Sequence, residues 1–302
     1  MTDQEYYEML LPETRRALDF DVKDKINFIL SEKFIPYKTA EDILQTMEDL
    51  LAEPRKSRMP CLVVYGDSNN GKTSIIEEFV NRHPPTDGLT SDPLPVIDVE
   101  TPGGPDTAML YNNILDKILI PYKKSHTLSQ KETLIKHHAD RLGTRMLVID
   151  EINNILAGSA AKRAFFMNSL KGLGNQLRLN IVTFGISTAL LATSTDEQIQ
   201  SRFRPIKLPK WTLNEEYANL LASLELTLPF KKHPRVSTNE DLAMKIFDKS
   251  GGILGYIVEI VNKCAVNALK KGRDRVGSED FKAINFIDPS ERRALAKLPA
   301  AG

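Results

Sequence analysis

The chain has no excess of charge of either sign: across 302 residues, Lys plus Arg number 40 and Asp plus Glu number 40. Net charge therefore exerts no long-range pull toward nucleic acid, an anionic membrane or an acidic substrate, and any such surface has to be a local patch. Cysteine is scarce. Cys61 and Cys264 each lie inside an apolar run, where a small buried hydrophobe accounts for the residue better than a ligand, and a reducing cytoplasm fits. The amino terminus, Met1-Thr-Asp-Gln-Glu-Tyr-Tyr-Glu8, is acidic and lacks a basic segment ahead of an apolar core. No run approaches the roughly 18 apolar residues of a membrane span. A soluble, non-exported protein without membrane partners is expected. His137-His138 has no matching cysteine or acidic ligand set, which argues against a metal centre there. Internal repeats and low-complexity blocks are absent.

What the chain does have is a change of texture. Residues 1–54 read as a helical extension in which Ile43, Met47, Leu50 and Leu51 line one helix face. After the charged connector Glu53-Pro-Arg-Lys-Ser-Arg58, short apolar runs alternate with longer amphipathic segments, the pattern of a parallel sheet covered by helices. Strands are expected at 61–65, 94–99, 145–149, 180–185 and 206–208, with helices near 72–81, 106–119, 129–142 and 160–177. From Asn214 the strands stop, and helices near 214–224, 239–249, 253–271 and 278–283 form a small second domain. Ser237 or Thr238, and Ser278, are candidate helix caps. The expected division is thus an extension over 1–54, an α/β domain over 55–210, a helical domain over 211–287 and a flexible basic tail over 288–302.

The segment Gly66-Asp67-Ser68-Asn69-Asn70-Gly71-Lys72-Thr73 fits G-x-x-x-x-G-K-[ST] between an expected strand and an expected helix. Glycines allow the tight turn, backbone N–H groups then face phosphates, and the following helix, from Lys72 and Ser74 onward, presents its positive dipole end. Lys72 is the candidate for the β- and γ-phosphates and Thr73 for Mg²⁺. A second run, Met146-Leu-Val-Ile-Asp150-Glu151, supplies acids at the end of another buried strand: Asp150 for Mg²⁺ and Glu151 as general base toward water. The pairing favours ATP hydrolysis over phosphoryl transfer to a metabolite. Thr183, Ser187 and Thr188, near the end of the next strand, are each candidates to sense the γ-phosphate. The cluster Asp196-Glu-Gln-Ile-Gln-Ser-Arg-Phe-Arg204 either ends a solvated helix or offers an arginine to a neighbouring subunit's nucleotide.

Taken together, residues 66–73, 147–151 and 197–203 and the helical carboxyl-terminal region resemble an AAA+ ATPase. The Ser68-Asn-Asn-Gly-Lys-Thr73 form of the loop, Pro54-Arg-Lys-Ser-Arg-Met-Pro60 and Glu197-Gln-Ile-Gln-Ser-Arg-Phe203 resemble the TniB family within the wider TniB and TnsC group of transposition regulators. That resemblance implies a three-layer αβα P-loop domain followed by an α-helical lid, with ATP and Mg²⁺ as cofactors. It implies a bacterial, nucleoid-associated regulator that forms an oligomer or helical filament on duplex DNA. Its implied partners are a DDE-type transposase and a target-selection protein such as a TniQ-like one. Arg202 becomes the arginine offered in trans, with Arg204 second. A replication initiator or helicase loader would share the ATP site, and a non-hydrolysing adaptor would use nucleotide only structurally. Many AAA+ lids carry an arginine shortly after a Gly-Gly pair, whereas Gly251-Gly-Ile-Leu-Gly255 has none. Lys123, Lys124, Lys162 and Arg163, with Lys171 further on, are candidates for salt-sensitive contacts to DNA phosphates.

Overall fold

The computed structural model describes residues 2–85, 93–194, 197–288 and 291. The tail anticipated over 288–302 therefore lies, apart from Asp288 and Glu291, outside the described residues. Two compact units emerge: residues 38–209, and residues 1–37 together with 210–302.

The first unit is built on a parallel sheet of β1 (Cys61–Gly66), β2 (Val96–Glu100), β3 (Met146–Asp150), β4 (Asn180–Gly185) and β5 (Phe203–Leu208), in the order β2-β3-β4-β1-β5. Side chains alternate between its faces. Cys61, Val63, Ile97, Val99, Leu147, Ile149 and Ile181 share one core with Leu110, Ile114, Ile135, Phe166 and Leu170 from the helices Thr107–Lys117, Leu128–Arg141 and Ala160–Leu177. The intervening Leu62, Val64, Val96, Met146, Val148, Val182 and Phe184 are equally buried. They lie on the face covered by the helices Lys38–Ala52 and Lys72–Arg82. Both faces being covered is why the strands read as unbroken apolar runs.

The helix Lys38–Ala52 buries Ala40, Ile43, Leu44, Met47 and Leu50, a stripe at helical spacing. That stripe joins it to the sheet unit, while residues 1–37 group elsewhere, a partition different from a break at residue 54. The last strand runs from Phe203 and is longer than its apolar end suggests. As an edge strand it is largely exposed, and Pro205, Arg204 and Lys207 discourage pairing along that edge.

In the second unit, Ile29 and Ile35 join Tyr217, Leu221, Ile246, Ile257, Val261 and Cys264 in one core. Burial pushes the thiols of Cys61 and Cys264 up to about 11 and about 12. The helix Glu240–Ser250 is capped by Asn239, whose Oδ1 accepts from Leu242 N at 3.1 Å, so neither Ser237 nor Thr238 is the cap. Ser237 instead serves Glu225. Gly277 caps the helix Ser278–Ala283, its N–H donating to Asp280 Oδ2 at 3.0 Å, so Ser278 is the first helical residue. Gly252, at φ 69°, admits the carbonyl of Trp211, which would lie 2.5 Å from any added Cβ.

Glu225 is fully buried. Its carboxylate meets Nε2 of buried His233 at 3.1 Å and accepts from Ser237 Oγ at 2.6 Å, Ser237 N at 3.1 Å and Val236 N. Tyr6 OH donates to the carbonyls of Glu225 and Leu228 at 3.1 and 2.8 Å. Glu225→Ala would leave Val236 N, Ser237 N and Ser237 Oγ without their carboxylate acceptor. The expected loss is about 3 kcal/mol or more. Tyr6→Phe, which removes only a hydroxyl, is expected to cost ~1 kcal/mol. Urea denaturation of both variants, followed by far-ultraviolet circular dichroism, checks the ranking.

Candidate nucleotide site

β1 delivers the chain to Gly66, where an added Cβ would sit 2.6 Å from the carbonyl oxygen of Leu208 on β5. Only glycine allows that approach. The loop then turns through Asn69 at φ 61° and Gly71 at φ 88°, left-handed conformations that glycine and asparagine tolerate best. The helix Lys72–Arg82 starts with no side-chain cap, which leaves its first N–H groups directed at whatever occupies the loop.

Asn70 is buried, and its Nδ2 donates to the carbonyls of Leu208 and Pro209 at 3.3 and 2.9 Å. Through its side chain it fastens the loop to the end of β5. Lys72 is buried, with Nζ donating to the carbonyls of Gly66 and Asp67 at 3.2 and 2.8 Å. Burial pushes its ammonium below the usual lysine range, while Glu151, Asp150 and Asp67 pull it back up. Asp67, Ser68 and Asn69 form the exposed crest of the loop, and Ser74 is exposed in the first helical turn.

β3 ends at Asp150, two strands away from β1. Thr73 Oγ1 donates to Asp150 Oδ2 at 2.8 Å, and Glu151 N donates to Asp150 Oδ1, also at 2.8 Å. The carbonyl of Asp150 is held by Thr101 through N at 2.9 Å and Oγ1 at 2.8 Å. Glu151 itself adopts φ 53°, a strained conformation for a residue with a Cβ. Its Oε2 accepts from Asn153 Nδ2 at 3.1 Å. The structure thus brings Lys72, Thr73, Asp150 and Glu151 together around the loop.

Thr183 is not at the open end of β4: it is fully buried and its Oγ1 donates to Leu62 O at 3.2 Å. Ser187 and Thr188 lie beyond the strand end at Gly185, exposed and half-buried respectively. Arg202 precedes β5, and its carbonyl accepts from Cys61 N at 3.2 Å, at the amino ends of the strands. Five strand steps, about 17 Å, separate that edge from Gly66. Its guanidinium donates to Asn175 Oδ1 at 2.6 Å. Arg204 is exposed one step into β5, opposite Leu62. Neither arginine can serve the nucleotide of its own loop from there. Lys123 and Lys124 are exposed on the connector between two helices. Lys162 is exposed and Arg163 half-buried in the first turn of Ala160–Leu177, whose cap is Ser159, and Lys171 is half-buried further along.

The residues fit a Mg²⁺-bound triphosphate. A buried ammonium that donates to two loop carbonyls, an uncapped helix start and a hydroxyl already paired with a carboxylate are the donors and hard oxygens such a group requires. Sequence reasoning did not single out Thr101 or Asn153. Asn153 carried one signal: it is polar between Ile152 and Ile155, both fully buried.

Such a loop and acid pair on a β2-β3-β4-β1-β5 sheet, followed by a helical unit, define an ATPase fold of the AAA+ class. Similar solved structures include Cdc6p from Pyrobaculum aerophilum, 16% identical with a TM-score of 0.61 and covering 90% of this chain and 74% of that one. The Aeropyrum pernix ORC2 protein in its ADPNP-ADP complexes is 14% identical with a TM-score of 0.63 and the same coverage, 90% and 74%. The Aeropyrum pernix ORC1 protein in complex with DNA is 14% identical, with a TM-score of 0.55, over 89% of this chain and 69% of that one. No curated protein matches the sequence. Residues 25–213 match the family of bacterial TniB proteins, and the chain belongs to that family.

Asn70→Ala frees the loop from the end of β5. It is expected to weaken Mg-ATP binding about tenfold, equivalent to ~1.4 kcal/mol, as read by isothermal titration calorimetry.

Proposed function

We propose that this protein is an ATP-dependent regulator of transposition that assembles as an oligomer or filament on target duplex DNA. There it recruits and activates a DDE-type transposase, alongside a target-selection protein such as a TniQ-like one, and ATP hydrolysis remodels the assembly. The observation that carries the proposal is the bonded series Thr73–Asp150–Glu151 beside buried Lys72, in a chain of the TniB family. Bound Mg-ATP supplies the γ-phosphoryl group and the charge that the site is shaped to receive. Lys72 binds the β- and γ-phosphates, exchanging its loop carbonyls for phosphate oxygens. Thr73 and Asp150 orient the cation, and Glu151 polarises the attacking water by accepting its proton. Arg202 acts on a neighbouring subunit's nucleotide, which makes hydrolysis conditional on assembly. Lys123, Lys124, Lys162 and Arg163 bind DNA phosphates with little sequence preference.

A replication-initiator or helicase-loader role is the second reading, favoured by the likeness in fold to Cdc6p and ORC proteins. Affinity purification that recovers a helicase and no transposase would select it. A non-hydrolysing adaptor would give no turnover even with saturating DNA.

Lys72→Ala is expected to abolish ATP-dependent binding of labelled duplex measured by fluorescence anisotropy. Glu151→Gln is expected to keep that binding while lowering turnover by roughly 100-fold or more. An undiminished ATP-dependent complex with Lys72→Ala would contradict the proposal. Arg202→Ala is expected to retain ATP binding by calorimetry and to lose about 1,000-fold in DNA-stimulated turnover.

A further inference from the structure

We propose that Asn153 is the positioning residue for Glu151, coupling the general base to the end of β4. The inference rests on the hydrolytic role assigned to Glu151 above. Asn153 stands in the short 3-10 helix Ile152–Ala157 that follows Glu151. Its Oδ1 accepts from the backbone N–H of Ile186 at 2.9 Å, and its Nδ2 donates to Glu151 Oε2 at 3.1 Å. The two bonds fix the orientation of the amide without further assumption. A backbone N–H can only donate, so the atom facing Ile186 is the oxygen, and the nitrogen is left facing the carboxylate.

Three other features converge on this bridge. Glu151 has a backbone locked at φ 53° with its N–H bonded to Asp150 Oδ1, so its remaining freedom lies in the side chain that Asn153 holds. Ile152 and Ile155, fully buried on either side, anchor the turn that carries the amide. Gly185 leaves room for it: an added Cβ there would lie 2.5 Å from Asn153 Oδ1. Gly185 ends β4 and pairs with Tyr65 beside the phosphate loop.

Ile186 is followed directly by Ser187 and Thr188, the side chains that stand beyond the carboxyl end of β4. A shift of that segment on meeting a γ-phosphate moves Ile186 N, and Asn153 passes the displacement to the Glu151 carboxylate. Asn153 touches neither water nor phosphate in this scheme. It acts by setting where the general base points, so its removal changes the catalytic step and leaves nucleotide binding to Lys72 and Thr73.

Asn153→Asp separates this role from a merely structural one. The new carboxylate still accepts from Ile186 N, so the link to β4 survives, but it cannot donate to Glu151 and sets a like charge beside it. The expected result is a kcat at least tenfold lower with DNA present. KM for ATP, calorimetric ATP affinity and melting temperature should stay within twofold or a few degrees of the parent. In the Glu151→Gln background the same substitution should lower kcat no further, because the group it positions is already gone. Parent-like kcat in Asn153→Asp, or equal additional losses in both backgrounds, would overturn the proposal while leaving Glu151 as base. Absence of DNA-stimulated turnover in the parent would overturn it together with the hydrolytic assignment.

Discussion

The site depends on the register of a parallel sheet. Parallel strands send all their carboxyl ends to one edge, so β1, β3 and β4 release their following loops side by side. Because β4 lies between β1 and β3, the phosphate loop reaches Asp150 across the end of β4, where Gly185 carries no side chain. The 2.8 Å bond from Thr73 to Asp150 closes that span. A slip of one residue in β3 would turn Ile149 toward the loop and Asp150 away from it.

The same register explains why Arg202 is remote. It immediately precedes β5, its carbonyl bonded to Cys61 N, at the amino edge, while the loop leaves at the carboxyl edge. An arginine in that position cannot complete its own site, and its guanidinium rests on Asn175 Oδ1. The charge inside the site is arranged in a complementary way. Lys72 has been taken out of water and donates to the backbone carbonyls of Gly66 and Asp67; burial lowers its pKa, and Glu151 and Asp150 oppose that shift. A polyphosphate arriving there exchanges weak acceptors for strong ones in a low-dielectric setting, where charge-assisted bonds count most.

Much of this was legible in the sequence because it lies in contiguous runs. Four buried strands and the apolar end of a fifth, the glycine-bracketed loop with Lys72-Thr73 and the acids closing β3 each declare themselves within a few residues, and the helices 160–177 and 278–283 match the bounds that periodicity and turn residues indicate. What was not legible depends on distant partners. Asn70 sits in the glycine-bracketed loop, and the carbonyls its side-chain amide holds, those of Leu208 and Pro209, lie far along the chain. Thr183 looks like a candidate sensor until strand register shows its hydroxyl turned to Leu62. Asn239, and not the nearby Ser237 or Thr238, caps its helix because Glu225 captures Ser237. Residues 1–37 and 38–52 read as one helical extension, and only the choice of apolar surface buried by each stripe separates them.

In the proposed function, occupancy of this site by a triphosphate governs assembly on DNA. Electron microscopy of the intact protein with duplex DNA tests it most directly, comparing ATP, a slowly hydrolysed analogue and ADP under the same salt. The expected result is ordered oligomers or filaments with ATP and more persistent ones with the analogue, both absent with ADP. Equal assembly in all three states, or none in any, would contradict it.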